Sequence, residues 1–429
     1  MPTVTVPGAH HSTVTLTFDR DANALLALHV AAAISAGLAD NTIIAADNKS
    51  GPPPSLPPGV TGEFVQSESG VTLLPKGYDY VVDSAHTAEI FGNGDANEQV
   101  LVGAGNLTFY ATAGSGSIIT GGGNNQIDIL PSDPGPWLIA TGNGADTIRA
   151  TGGGADTIDA GSGKSLIQLG SGSTYFTTMG SDTVMAGSGS ETIAATGSCS
   201  AELIYGNTSS LFLVASGPAT VVGQAGSDTV FGGLGKELLE GGSKGNNFLQ
   251  AGSGPATLFG GGDGDQLYAA GNDRQALHAA SGNETLSGVF ASGRDTFYGG
   301  SGSDQIFGGE GKNRFVAGSG IATVNASPIA MNLFEFMKTI GGGSELVTGL
   351  TDASQVHILL SGFGPNEIKD ALADQTTKDG SVTITLSDNS SVTFQNIGKL
   401  TGANFLTGTG SDGGSHDHHD HGDGHWDKH

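Results

Sequence analysis

Residues 299–320 read GGSGSDQIFGGEGKNRFVAGSG. Each glycine pair is followed by an acidic or amide residue, Asp304 and then Asn313, and two places later by one large apolar residue, Ile306 and then Phe315. The pattern restarts after nine residues. That period matches neither the face of a helix nor the alternation of a hairpin. It matches a coil in which each unit is one tight turn plus one short strand. Two units close a lap, each strand sends one bulky side chain inward, and every lap is stabilised by stacking on its neighbours.

Followed outward, the beat runs from Val81 to Val324 with slips of eight to eleven residues, the inward residue falling at Ile148, Ile158, Phe176, Val230 and Leu286, and at Leu138 and Ile204 in two slipped units. Thirteen or so laps, stacked about 4.8 Å apart, make a rod roughly 60–65 Å long. Glycine suits turns that need positive φ and close backbone approach. Two places before each inward residue lies a second recurrent position, a ladder. Because alternate units share a side, one ladder reads Asp156, Thr174, Glu191, Ser210, Asp228, Asn247, Asp265, Glu284, Asp304. The other reads Asp146, Ser165, Asp182, Glu202, Ala219, Glu237, Ala256, Gln275, Asp295, Asn313. Stacked carboxylates repel one another at low effective dielectric. A divalent cation between turns removes that repulsion. Carboxylates together with the carbonyls of glycine-rich turns are hard oxygen donors, which favour calcium with its six to eight irregular ligands.

The flanks differ in composition. Residues 1–50 form a small segment with a strand-like TVTLTF (13–18) and an apolar stretch, Ala22–Ala39. That stretch is expected as an amphipathic helix starting near Asp19 or Asp21 and ended by Gly37, rather than as a membrane span. GPPPSLPPG (51–59) reads as a proline-rich linker, and 60–325 as the coil. Residues 326–406 are a capping region with a helix expected at Pro365–Ala373 and a hairpin in SVTITLSDNSSVTFQNI (381–397). Residues 407–429 are a low-complexity tail containing His416, His418, His419, His421 and His425 among aspartates. Such imidazoles suit zinc, nickel or copper.

Of the 429 residues 73 are glycine, 37% are hydrophobic and 14% are charged, with a formal charge of −26. The acidic balance favours cations as partners and excludes nucleic acid or an anionic membrane as the main one. The single cysteine, Cys199, permits no internal disulfide. No basic, apolar N-terminal leader is visible in Met1–Thr17.

On these residues the sequence resembles the RTX proteins. GGSGSDQIF (299–307) carries every fixed position of the calcium-binding nonapeptide G-G-x-G-x-D-x-U-x, and GGEGKNRFV (308–316) carries Asn for Asp. TGNGADTIR (141–149), GGGADTIDA (152–160), GQAGSDTVF (223–231) and GGGDGDQLY (260–268) are partial matches. The resemblance implies an all-β fold, a right-handed parallel β-roll or β-solenoid that forms when calcium enters the turns. Here it would be flanked by a small N-terminal α/β segment and a C-terminal β-hairpin cap. It also implies export from a Gram-negative cell by type I secretion machinery, hence an extracellular or cell-surface location. Carried over residue by residue, several calcium ions are expected at Asp304, Asp228, Asp265, Asp156, Asp146, Asp182, Asp295 and Asn313, with Gly299, Gly302, Gly308 and Gly311 supplying turn backbone.

Catalysis has little footing. H-E-x-x-H and G-x-S-x-G are both absent, and only stray acids such as Asp128 and Asp133 stand off the ladders. The expectation is therefore a non-enzymatic structural or adhesive protein, self-associating head to tail into fibres. The alternative is a secreted enzyme, or a module binding a surface, ice or polysaccharide through an outward threonine row such as Thr147, Thr157 and Thr183.

Overall fold

The computed structural model describes residues 1–196, 201–204, 209–214 and 216–406. It is a parallel β-solenoid of about 15 turns, with 43% of its residues in strands and two helices. At about 4.8 Å per lap the rod is about 70 Å long, slightly longer than the beat alone implies.

The chain opens with an antiparallel hairpin, β1 (Thr3–Pro7) and β2 (Thr13–Thr17), then α1 (Asp21–Asp40) and β3 (Ile43–Asp47). β3 pairs in parallel with β4 (Thr61–Gln66), so coiling starts before residue 60. The proline-rich 51–59 stretch is a loop of this first lap: the Tyr78 hydroxyl donates to the Pro54 carbonyl at 2.8 Å, and Leu56 packs against the core. The second sheet begins at β5 (Gly70–Leu73), which pairs with 87–91. From there each strand pairs with the strand two units on, as in Thr157 with Tyr175 and Tyr175 with Thr192. Two units per lap is therefore the observed geometry. Parallel pairing continues past residue 325, through 331–337, 344–348, 357–361 and 391–394. There the loops lengthen, and the nine-residue beat fades from the sequence while the coil persists. α2 (Glu367–Ala373) sits on an excursion, and antiparallel strands 376–378 and 381–385 cap the last strand of the first sheet.

Between the sheets runs one continuous core of inward residues, with no exposure at Ile148, Ile158, Phe176, Val230 or Leu286. Phe297, Phe315 and Phe334 stack with centroids 5.4 and 5.3 Å apart. Two inward assignments are corrected. At the first slip Ile139 faces the core and Leu138 does not, because the longer turn at 130–136 shifts the strand by one residue. At the second, the register sets Ala201 opposite Ala219 and Leu203 opposite Val221. The strand is therefore paired one residue out of step with the expected Glu202 and Ile204.

The reason for glycine is also refined. Gly299, Gly302, Gly308 and Gly311 all lack positive φ. What they need is space: a Cβ on Gly302 would overlap the Gly282 carbonyl oxygen one lap below, and one on Gly311 would overlap that of Gly293. Turns stack backbone on backbone, which leaves no room for side chains.

The N-terminal module lies along the flank of the first laps. Val4, Val6, Leu16, Phe18, Ala27 and Ile34 form a second core with Val65, Val82, Leu101 and Ile119. α1 passes Gly37, which is buried against Ile43, and ends at Asn41 with φ 63°. By length and composition this helix could cross a membrane. Its small residues instead pack on the coil, and its outward side, with Leu25 and Leu28, is apolar too, so it is less amphipathic than expected.

Candidate metal centre

Both ladders form as columns of buried polar side chains. The strand register aligns Asp156, Thr174, Glu191, Ser210, Asp228, Asn247, Asp265, Glu284 and Asp304, all nearly solvent-free, on one side. Asp146, Ser165, Asp182, Ala219, Glu237, Ala256, Gln275, Asp295 and Asn313 line the other. A solvated turn would leave these side chains in water, and here they are inside.

One ladder oxygen has a structural duty. It accepts the backbone N–H of the ladder residue one lap below: Asn125 donates to Asp146 at 2.8 Å, Trp137 to Asp156 at 2.9 Å, Ser210 to Asp228 at 3.2 Å, Gln275 to Asp295 at 3.2 Å and Glu284 to Asp304 at 3.1 Å. The second oxygen divides the rungs. In Asp265 it accepts from Gly261 and Gly262, at 2.6 and 2.9 Å, and in Asp304 from Gly300 at 2.9 Å. In Asp182 it accepts from the Thr178 hydroxyl. In Asp146, Asp228 and Asp295, and in Glu191 and Glu284, the second oxygen is buried without a hydrogen-bond partner.

Burial pushes these acids up. Asp156, Asp228 and Asp295 rise to about 6, and Asp146, Asp182, Glu191 and Glu237 also rise, in each case chiefly through loss of water. Glu284 rises to about 8, through burial first and then the carboxyl of Asp304 above it. None of these ladder acids has a Lys or Arg partner among the described residues; the four ion pairs there involve Asp159, Glu68, Asp128 and Glu335. A buried carboxylate without a cation is expensive.

The amide rungs show what the turns are built to hold. The Gln275 side-chain nitrogen donates to three backbone carbonyls, Gly252 at 2.7 Å, Gly254 at 2.9 Å and Ala270 at 2.6 Å. Asn247 donates to Gly242 and to the Asp265 carboxylate, and Asn313 to Gly309 and Asn332. Turn carbonyls therefore converge on the ladder, and an amide places a positive dipole among them. Where the rung is Asp146, Asp228, Asp295, Glu191 or Glu284, a carboxylate oxygen takes that place and finds no donor there. Among the described residues no three His, Cys, Asp or Glu side chains gather at one point. A fitting ion would thus be held by one or two carboxylates plus backbone carbonyls. This donor set is hard, irregular and oxygen-only, and it fits calcium.

A family model for the RTX calcium-binding nonapeptide repeat (4 copies) matches residues 138–167, 150–173, 216–243, 241–275 and 291–324. The chain carries RTX calcium-binding repeats. None of the curated proteins searched matches it. The matched RTX segments contain Asp146, Asp156, Asp228, Asp265, Asp295, Asp304 and Asn313, and Gly299, Gly302, Gly308 and Gly311; Asp182 lies on the same ladder between two of them. Outside the matches the coil has further ladder acids that the nonapeptide pattern does not mark: Asp79, Glu98 and Glu345. Burial raises Glu98 to about 7 and Glu345 to about 8. The stretch GNGDANE (92–98) signals Glu98, since it sets an acid two places before Val100. Asp128 and Asp133, the stray acids, have separate partners: Asp128 pairs with Arg149 at 3.0 Å, and Asp133 accepts the Trp137 indole N–H at 2.9 Å. The tail histidines His416, His418, His419, His421 and His425 lie outside the described residues.

Proposed function

We propose that this chain is an extracellular structural or adhesive protein whose coil is completed by calcium in the ladder turns, after export from a Gram-negative cell by type I secretion. The observation that carries the reading is the buried column of ladder acids, with unpartnered oxygens and no cationic side chains, facing turns whose carbonyls converge. In the cell, where free calcium is scarce, those acids oppose folding. Outside, calcium reverses their contribution.

The structural role rests on how much of the chain is coil and on its ends. The C-terminal end is covered by a hairpin, whereas the first strand of the second sheet, β5, pairs on one side only and exposes Val71 and Leu73. An open parallel edge is a template for another chain, and a head-to-tail contact that does not close makes a filament. In millimolar calcium, electron microscopy and sedimentation of the full chain are expected to show end-to-end assemblies, shortened by Val71→Lys with Leu73→Lys. Dispersed monomers at high concentration would contradict the fibre role.

A surface-binding role has one observation of its own. Arg274, Arg294 and Lys312 stack on successive laps, exposed and without ion-pair partners among the described residues. Three like charges at strand spacing fit a polyanionic glycan, and retention on such a glycan lost on Arg294→Glu would favour this reading over assembly.

A further inference from the structure

Three buried oxygens without hydrogen-bond partners meet where the N-terminal module touches the coil. Asp19, between β2 and α1, lies over the turn at 141–146: one carboxylate oxygen accepts the Asn143 N–H at 2.7 Å, and the other, Oδ1, is buried and has no partner. In that turn Thr141, fully buried, has an unpartnered Oγ1, and Asp146, 2% exposed, has an unpartnered Oδ2. The Asp146 acid is raised first by burial and also by the charge of Asp19, while the Thr141 hydroxyl beside it lowers it. Asp19 Oδ1 and the Gly121 carbonyl oxygen both face the α-carbon of Gly142 so closely that a side chain there would overlap them. The neighbouring cation, Arg20, is engaged elsewhere, with Asp159 at 2.8 Å and the Thr141 carbonyl at 3.2 Å.

We propose that Asp19, from outside the repeats, completes a calcium site with Asp146 and Thr141, so that the ion fastens the N-terminal module to the coil. The inference rests on the calcium reading above. Its chemistry is that of a hard divalent cation: two carboxylate oxygens, a hydroxyl and turn carbonyls, with the adjacent Arg20 turned to Asp159 and the Thr141 carbonyl. Its consequence is a module whose docking depends on calcium. Without the ion, two acids and a hydroxyl face one another, and the apolar contacts of α1 must hold the module against that repulsion.

The test uses the full chain with calcium as the only probe. Bound ions are counted by equilibrium dialysis, and hydrogen exchange is followed in residues 21–40. Asp19→Asn keeps an acceptor for the Asn143 N–H and removes the charge. It is expected to hold one ion fewer than wild type, and in calcium its α1 amides should exchange about 10-fold faster. Thr141→Val, a second variant nearly equal in shape, should weaken the same site. Asp228→Asn serves as control: it should bind less calcium and leave α1 protected. A full ion count in Asp19→Asn, or α1 protection in wild type that is the same in EDTA and calcium, would overturn the latch while the ladder reading stands. A wild-type chain that binds no calcium would overturn both, and the wild-type ion count alone separates the two failures.

Discussion

In EDTA the thermal midpoint of this protein should fall as pH rises from about 5 to about 8, and saturating calcium should abolish that fall. The cause is the set of buried ladder acids. Asp156, Asp228 and Asp295 are held up to about 6, Glu98 to about 7, and Glu284 and Glu345 to about 8, in each case first by loss of water. Groups that bind protons more tightly folded than unfolded make folding take up protons, so stability is complete below the ordinary carboxylate range, near 4, and is lost as pH climbs through 6 to 8. For Asp228 alone the shift corresponds to roughly 3 kcal/mol by pH 8. All six act in the same direction, so a drop of at least 10 °C is expected, at about 2–4 °C per kcal/mol. Calcium binds the ionised form, so its affinity should rise over the same window. Differential scanning fluorimetry across pH, with EDTA or calcium, reads both trends. A midpoint that rises with pH in EDTA would show that the ladder acids are not paying a burial penalty.

The second large effect is an exchange of rungs. Glu284→Gln replaces an acid raised to about 8, its Oε2 buried without a partner, by an amide. In EDTA at pH 7 it should stabilise the coil by roughly 3 kcal/mol, and the calcium count should fall. Gln275→Glu is the reverse. It replaces a nitrogen held by three carbonyls with an oxygen facing them. In EDTA it should cost about 3 kcal/mol or more, the cost of an unsatisfied buried charge, and calcium should restore most of that loss through one additional ion. Chemical denaturation of both variants with and without calcium gives four stability changes, of opposite sign between the two variants in EDTA. If both substitutions shift stability by the same amount in EDTA and in calcium, the rungs are ordinary buried polar groups and the ion plays no part at them.

Much of this was legible because the nine-residue beat couples a turn, a strand and an inward residue at fixed offsets. Once Ile306 and Phe315 are recognised as inward, Asp304 and Asn313 must stand on the ladders, and the register from Asp156 to Asp304 follows. The beat failed where a turn departs from its usual length. At 130–139 two neighbouring apolar residues compete for the core and a one-residue shift exchanges them, and near 201–204 the strand register is displaced by one residue; only the pairing with the adjacent laps decides. Beyond Val324 the laps continue with longer loops, so periodicity ends before the structure does. The reach of Gln275 to Gly252, Gly254 and Ala270 was hidden for another reason, since its partners belong to different units. Asp19 is more than 120 residues from the turn it covers, and its own segment has no repeat to mark it. The glycines were recognisable by position, but their reason was not: stacking of turn on turn, rather than left-handed φ, excludes side chains at Gly302 and Gly311.

The most direct test is circular dichroism of the full chain at pH 7.5 in EDTA, followed by titration with calcium and, separately, magnesium. Buried acids facing convergent carbonyls should leave the EDTA form poor in β-structure or weakly cooperative, and calcium but not magnesium should convert it to a β-rich, cooperatively melting state. A β-rich spectrum in EDTA whose melting is unchanged by calcium would contradict the account, and would mean that the apolar stack and the amide rungs hold the rod without the ion.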